Sequence, residues 1–113
     1  MKEIIAADHT IRIDGETIHF EGTMRLSGTE AYAPIQALMA EVLSSAQNGI
    51  TLDLTGLEFL NSSGINLLAK FAIDVRNRQT MALTVLGASR IPWQPKSLPN
   101  LKRLFPATVL QIT

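Results

Sequence analysis

From residue 29 onward the chain alternates between helical and extended hydrophobic patterns, and this restricts its fold more than any other feature. Residues 29–46 place Ile35, Leu38, Met39, Val42 and Leu43 at helical spacing. Thr29 is a candidate cap, Pro34 lies too deep for a clean first turn, and Asn48-Gly49 is expected to end the helix. Residues 50–54 (ITLDL) form a β-rich run that Gly56 is expected to break, with Leu57, Phe59 and Leu60 leading onward. Residues 63–78 predict a second helix with an apolar stripe of Ile65, Leu68, Ala72 and Val75. Residues 81–86 (MALTVL) predict a buried strand. Ser97 is expected to cap a short third helix with Pro99 in its first turn, and residues 108–112 close the chain as a strand.

The N-terminal third has a different pattern. Residues 3–7 are a short apolar run. Ile11 and Ile13 alternate with polar residues, as do Ile18 and Phe20, and Asp14-Gly15 lies between them. Asp-Gly takes the backbone conformations of a two-residue hairpin turn, so 11–13 and 17–23 are expected to pair antiparallel. The predicted order is β-β-β-α-β-α-β-α-β. It demands a largely parallel or mixed sheet with right-handed helical crossovers. Binding sites in such sheets favour the loops after strand C-termini, which points first to residues 55–64.

Composition narrows the function. The 113 residues suit one domain spanning 1–113, and 46% hydrophobic with 18% charged residues is globular composition. The absence of cysteine removes disulfides and thiolate chemistry, and it suits a reducing, cytoplasmic setting. No apolar run approaches the roughly 20 residues of a membrane helix, so no membrane association is expected. The net charge of zero hides an asymmetry. Residues 1–60 hold nine acids against three bases, and residues 61–113 hold one acid, Asp74, against seven bases. A polarised surface would steer a partner, whereas halves that interleave in the fold would largely cancel. One Trp and one Tyr supply little for stacking bases, so direct nucleic-acid binding is not expected. His9 and His19 lie near strands without metal-ligand spacing and are expected to be surface or edge residues, with no metal and no cofactor. No nucleophile elbow, Walker motif or dinucleotide-binding glycine pattern occurs.

Residues 52–68 (LDLTGLEFLNSSGINLL) carry the most information. A strand and a loop lead into Asn61-Ser62-Ser63-Gly64, which opens a helix. Asn and Ser are preferred caps because their side-chain oxygens accept the free N–H groups of the first turn. A hydroxyl there also lies in the positive field of the helix end, where a phosphate would find N–H donors. A serine-rich cap and nothing more is the plain alternative. Asp53, near the expected strand end, either orients the Asn61–Ser62 loop or bonds local backbone. Trp93, bracketed by Pro92 and Pro95 with Arg90 and Lys96 nearby, is either a partner anchor or a ring tucked over a core edge.

This segment resembles the signature of the STAS domain, the fold of bacterial anti-sigma-factor antagonists. Leu52-Asp53-Leu54-Thr55 matches the strand, Leu57-Phe59-Leu60 the apolar lead-in, and Ser62-Ser63-Gly64 the turn. Chain length and element order agree with it. The resemblance implies an α/β fold: a single-domain STAS-like mixed β-sheet with an N-terminal antiparallel hairpin and helices packed on it. It implies a non-enzymatic protein-binding switch. The partner it implies is an anti-sigma factor that is also a serine kinase of the histidine-kinase-like ATPase type, with a phosphatase to reset the switch. The implied phosphoacceptor is Ser62, with Ser63 second. Asp53, Asn61, Ser62, Ser63, Gly64, Asn66 and Trp93 are the expected partner-binding residues. One departure stands out: the family's Asp before the acceptor is Asn61. An amide caps as well as a carboxylate but lacks its charge. A constitutive scaffold or sensor subunit that is not phosphorylated is therefore the competing expectation. An unrelated small enzyme using the Ser62 hydroxyl is a third, for which no base is evident in the sequence.

Overall fold

Asp14 and Thr17 face each other across the first tight turn, in which Gly15 has φ +61°, a left-handed conformation that glycine takes without a Cβ clash. A computed structural model describes residues 2–113. The turn joins β2 (His9–Asp14) to β3 (Thr17–Met24), and β1 (Glu3–Ile5) pairs antiparallel with β2 at the sheet edge. The remaining elements are α1 (Gly28–Ser45), β4 (Gly49–Leu60), α2 (Ser62–Asn77), β5 (Ala82–Gly87), α3 (Trp93–Ser97), α4 (Pro99–Leu104) and β6 (Val109–Ile112). The six strands lie in sequence order, antiparallel from β1 to β3 and parallel from β3 to β6. The mixed sheet expected from the alternation is present. The expected short third helix is α4, and one further short helix, α3, precedes it.

The helices cover one face of the sheet. Ile11, Ile18, Phe20, Leu52, Leu83 and Val85 share a core with Ile35 and Met39 of α1 and Leu68, Phe71 and Val75 of α2. Burying a side chain of this size stabilises the fold by about 1.5–3 kcal/mol. The other face is polar and partly open: Arg12, His19 and Asp53 lie in register across β2, β3 and β4. His9 departs from expectation. It is buried at the start of β2, with Nδ1 2.8 Å from Asp8 Oδ1. Ser27, not Thr29, precedes α1, and its side chain makes no capping bond. Pro34 sits inside α1 on its exposed side, where water can reach the Glu30 carbonyl it leaves unpaired. Leu98, not Ser97, precedes α4, and Pro99 takes the first position, where a missing N–H costs nothing.

The largest departure lies in β4. Gly56 does not break it; the strand runs for 12 residues. Between the pairs His19↔Asp53 and Glu21↔Gly56, β4 contains one more residue than β3, and it does so again between Gly22↔Leu57 and Thr23↔Phe59. Each extra residue is a bulge that shifts the alternation by one. The buried positions therefore run Leu52, Leu54, Leu57, Leu60, and Phe59 turns outward.

Pairing with β5 ends at Asp53. Beyond it, side chains of the 88–97 segment take the place of a strand. Gln94, fully buried, donates Nε2 to the carbonyls of Leu54 (2.6 Å) and Leu57 (3.0 Å), and its Oε1 accepts the Ala88 N–H at 2.7 Å. Trp93 Nε1 donates to Leu57 O at 3.1 Å, and Arg90 donates to Thr55 O at 3.2 Å. Buried carbonyls without donors would each cost about 1–3 kcal/mol. Gln94→Leu is accordingly expected to destabilise the domain by about 3 kcal/mol, measured as a lower urea midpoint with Trp93 fluorescence as the probe; an unchanged midpoint contradicts the brace.

Candidate functional site

The end of β4 delivers Asn61 to the start of α2, and both ends of its amide are used. Oδ1 accepts the Gly64 N–H at 3.0 Å, the capping bond, and the Tyr32 hydroxyl of α1 at 2.7 Å. Nδ2 donates to Leu26 O at 2.8 Å. The donor at Gly64 and the acceptor at Leu26 fix the amide orientation. The backbone joins in: Asn61 N–H bonds Met24 O at 3.3 Å, and Asn61 O accepts Ile65 N–H at 3.0 Å. One residue thus fastens together β3, β4, α1 and α2. Burial holds the Tyr32 hydroxyl above its usual pKa, against a smaller opposing effect of a Leu26 backbone bond, so it remains a donor at neutral pH.

Asn61 does more than replace a carboxylate. An aspartate here would keep the Gly64 and Tyr32 bonds but would set an oxygen against the Leu26 carbonyl, where only a donor fits. Gly64 is required for a different reason. A Cβ on it would lie 2.1 Å from Leu60 Cδ1 and 2.8 Å from Tyr32 Oη. The first turn of α2 approaches α1 and β4 as closely as a bare backbone allows.

With the cap supplied by Asn61, the two serines are spare. Ser62 is exposed at the first position of α2. Ser63 is half-buried and lines a groove of about 120 Å³ with Thr29, Tyr32, Gln36, Asn66, Leu67 and Lys70. Asn61, Ser62, Ser63, Gly64 and Asn66 lie together at the first turns of α2. Asp53 and Trp93 are not part of that group. Asp53 is mid-strand on the open sheet face, not at a strand end. Its Oδ2 meets His19 Nδ1 at 2.8 Å, and its Oδ1 accepts from Thr55 Oγ1 (2.6 Å) and Thr55 N (3.1 Å). Trp93 is half-buried and bonded to Leu57 O, so it braces the strand that leads to the site. Sequence reasoning missed Tyr32 and Leu26, because their bonds to Asn61 span 29 and 35 residues and leave no local pattern. Among the described residues no cluster of potential ligands could hold a metal ion, and no helix is long and apolar enough to cross a membrane.

The architecture is that of a STAS-like domain. The chain is similar over its full length, and over the full length of the matched chain, to one from the complex of the diguanylate cyclase SiaD with its activator SiaC from Pseudomonas aeruginosa, with TM-score 0.73 and 15% identity. SiaC of Pseudomonas aeruginosa alone matches with TM-score 0.65 and 15% identity, again with both chains fully covered. An anti-sigma factor antagonist from Mycobacterium paratuberculosis matches with TM-score 0.63 and 20% identity, covering 91% of this chain and 83% of that one. No family model and no curated protein matches the sequence.

Two measurements check this geometry. Gly64→Ala is expected to destabilise the domain by about 1–3 kcal/mol through overpacking, read from urea unfolding; a neutral result means that Leu60 and Tyr32 yield freely. The second is a pH dependence. Burial pushes the Asp53 carboxyl up, but the Thr55 hydroxyl, the Thr55 N–H and His19 together outweigh it and hold it below its ordinary 3.8. The native state then binds fewer protons there than the unfolded chain. The stabilisation is complete above the unfolded value and is lost as pH falls through the folded one. Asp53→Asn should flatten this acid-side loss of stability; an unaltered slope below pH 3.8 would remove Asp53 as its source.

Proposed function

We propose that this chain is a non-enzymatic protein-binding regulator of the anti-sigma-factor-antagonist type, switched by phosphorylation of Ser62. The observation that carries the reading is the division of labour at the start of α2: Asn61 caps the helix, and the exposed Ser62 hydroxyl is left free. The partner is a protein kinase of the histidine-kinase-like ATPase type acting in the cytoplasm, and a phosphatase restores the free serine. In the transfer, Ser62 Oγ bonds to the γ-phosphorus of ATP, ADP leaves, and the hydroxyl proton passes to a base of the kinase. The product adds about −1.5 to −2 charges at one exposed point. Two N–H groups ahead of the Gly64 bond and the positive helix end tolerate that charge, so the fold survives. A partner surface packed over Ser62, Ser63 and Asn66 meets a desolvated dianion and separates. The likeness to an anti-sigma factor antagonist and to SiaC, an activator that binds a cyclase, supports partner binding as the use of this fold.

One observation favours a second reading. The Asn61 amide is consumed by Leu26, Gly64 and Tyr32, so no carboxylate stands beside the acceptor to align a kinase. On that reading the same surface binds constitutively, as a scaffold or sensor subunit. Two assays decide between them. Incubation with ATP and a co-encoded kinase should add the mass of one phosphate, abolished in Ser62→Ala. Ser62→Ala should retain the partner and Ser62→Asp should bind about tenfold or more weakly, roughly 1.4 kcal/mol or more. Equal binding by both variants, with no mass gain, selects the constitutive subunit.

A further inference from the structure

The bulges of β4 leave an exposed aromatic ring three residues before the candidate phosphoacceptor. Phe59 is 41% exposed while its neighbours Leu57 and Leu60 are in the core. The guanidinium carbon of Arg25 lies 5.2 Å from the centre of its ring, within cation–π range. Arg25 follows the last residue of β3, and the backbone on both sides of it is tied to Asn61. Met24 O accepts the Asn61 N–H, and Leu26 O accepts Asn61 Nδ2. Arg25 is therefore tethered next to the residue that immediately precedes Ser62, on an exposed side chain long enough to swing. The nearby carboxylate on β4, Glu58, is held by Arg90 at 3.2 Å.

Resting on the phosphorylation reading above, we propose that Arg25 senses the state of Ser62 by moving between the Phe59 ring and the phosphate. With a free hydroxyl, Arg25 lies on Phe59 and keeps an ordered patch of aromatic ring and cation. Such a patch suits a partner pocket that is apolar at its centre and acidic at its rim. With a phosphate on Ser62, the guanidinium has a better ligand. An exposed cation–π contact is weak, whereas guanidinium–phosphate pairs are charge-assisted and frequently bidentate. Arg25 then leaves the ring, its positive charge is neutralised, and the patch loses the group that met the acidic rim. Phosphorylation would thus act twice, by placing charge at Ser62 and by dismantling the Arg25–Phe59 pair.

The test needs neither kinase nor partner. Phosphoserine is placed at position 62 during translation, in the parent chain and in Arg25→Gln and Arg25→Lys, and circular dichroism verifies the fold of each. A phosphorus NMR titration then follows the second ionisation of the phosphate, ordinarily near pH 6. The helix end acts on all three proteins equally, so the difference between them isolates Arg25. The midpoint is expected to be lowest with Arg25, highest with Gln and intermediate with Lys, which retains the charge but not the fork. The Arg25 side-chain protons, shifted upfield by the ring when Ser62 is free, should return toward ordinary values once it is phosphorylated. Equal midpoints in the parent and Arg25→Gln, or Arg25 protons still ring-shifted beside the phosphate, overturn the proposal. A kinase that leaves Ser62 unmodified would instead count against the preceding functional reading, since the phosphate here is installed without one.

Discussion

The second half of β4 lacks a neighbouring strand on its β5 side, and the structure around the candidate site depends on how that lack is met. Ladder pairing stops at Asp53, yet the strand continues through two bulges to Leu60. Beyond Asp53 no strand among the described residues stands on that side to bond its carbonyls. Gln94, Trp93 and Arg90 supply donors to Leu54, Leu57 and Thr55 instead. Three side chains from one short segment thereby replace a length of sheet. Gln94 is costly to bury, and it is fully paired, which is the condition under which a buried amide is tolerated. The stretch consequently ends with Leu60 in the core, Phe59 in solvent and Asn61 at the entry to α2.

Asn61 turns that placement into a rigid corner. Its five hydrogen-bonding partners come from three parts of the chain: Met24 at the end of β3 with Leu26 just beyond it, Tyr32 on α1, and Gly64 and Ile65 on α2. Buried networks with every member satisfied specify one arrangement of their surroundings. The corner explains why a hydroxyl can be exposed at Ser62 without loosening the helix, and why Gly64 must be bare. It also separates two roles that the sequence places side by side: Asn61 belongs to the fold, and Ser62 faces outward. Arg25, between two residues bonded to Asn61, stacks on the exposed Phe59 ring close to the same corner.

The two faces of the sheet divide the chemistry further. The helix-covered face contains the aliphatic core, and the open face holds the row of Arg12, His19 and Asp53. Asp53 keeps its charge by local bonds to Thr55 and by His19, so it serves the sheet and not the corner. The charge asymmetry along the chain is partly resolved by such folding: Arg90 of the basic half pairs with Glu58 of the acidic half across the loop that braces β4.

The element order, the hairpin at Asp14-Gly15, the mixed sheet and the capped helix start at residues 61–64 are all legible in the chain. Each of these is written in nearest-neighbour terms, as a hydrophobic period, a turn residue or a capping side chain, and such signals act over a few residues. Residues 55–60 resemble a loop in sequence because the bulges change a period of two into a spacing of three, which no regular strand shows. That Gln94 and Trp93 complete β4, that Asp53 is bonded to His19 and Thr55 away from the corner, and that Tyr32 and Leu26 hold Asn61 emerges only from the folded arrangement. Those outcomes depend on hydrogen bonds between groups about 30 to 40 residues apart. Such groups meet only after the sheet has formed, so no local pattern in the chain encodes them.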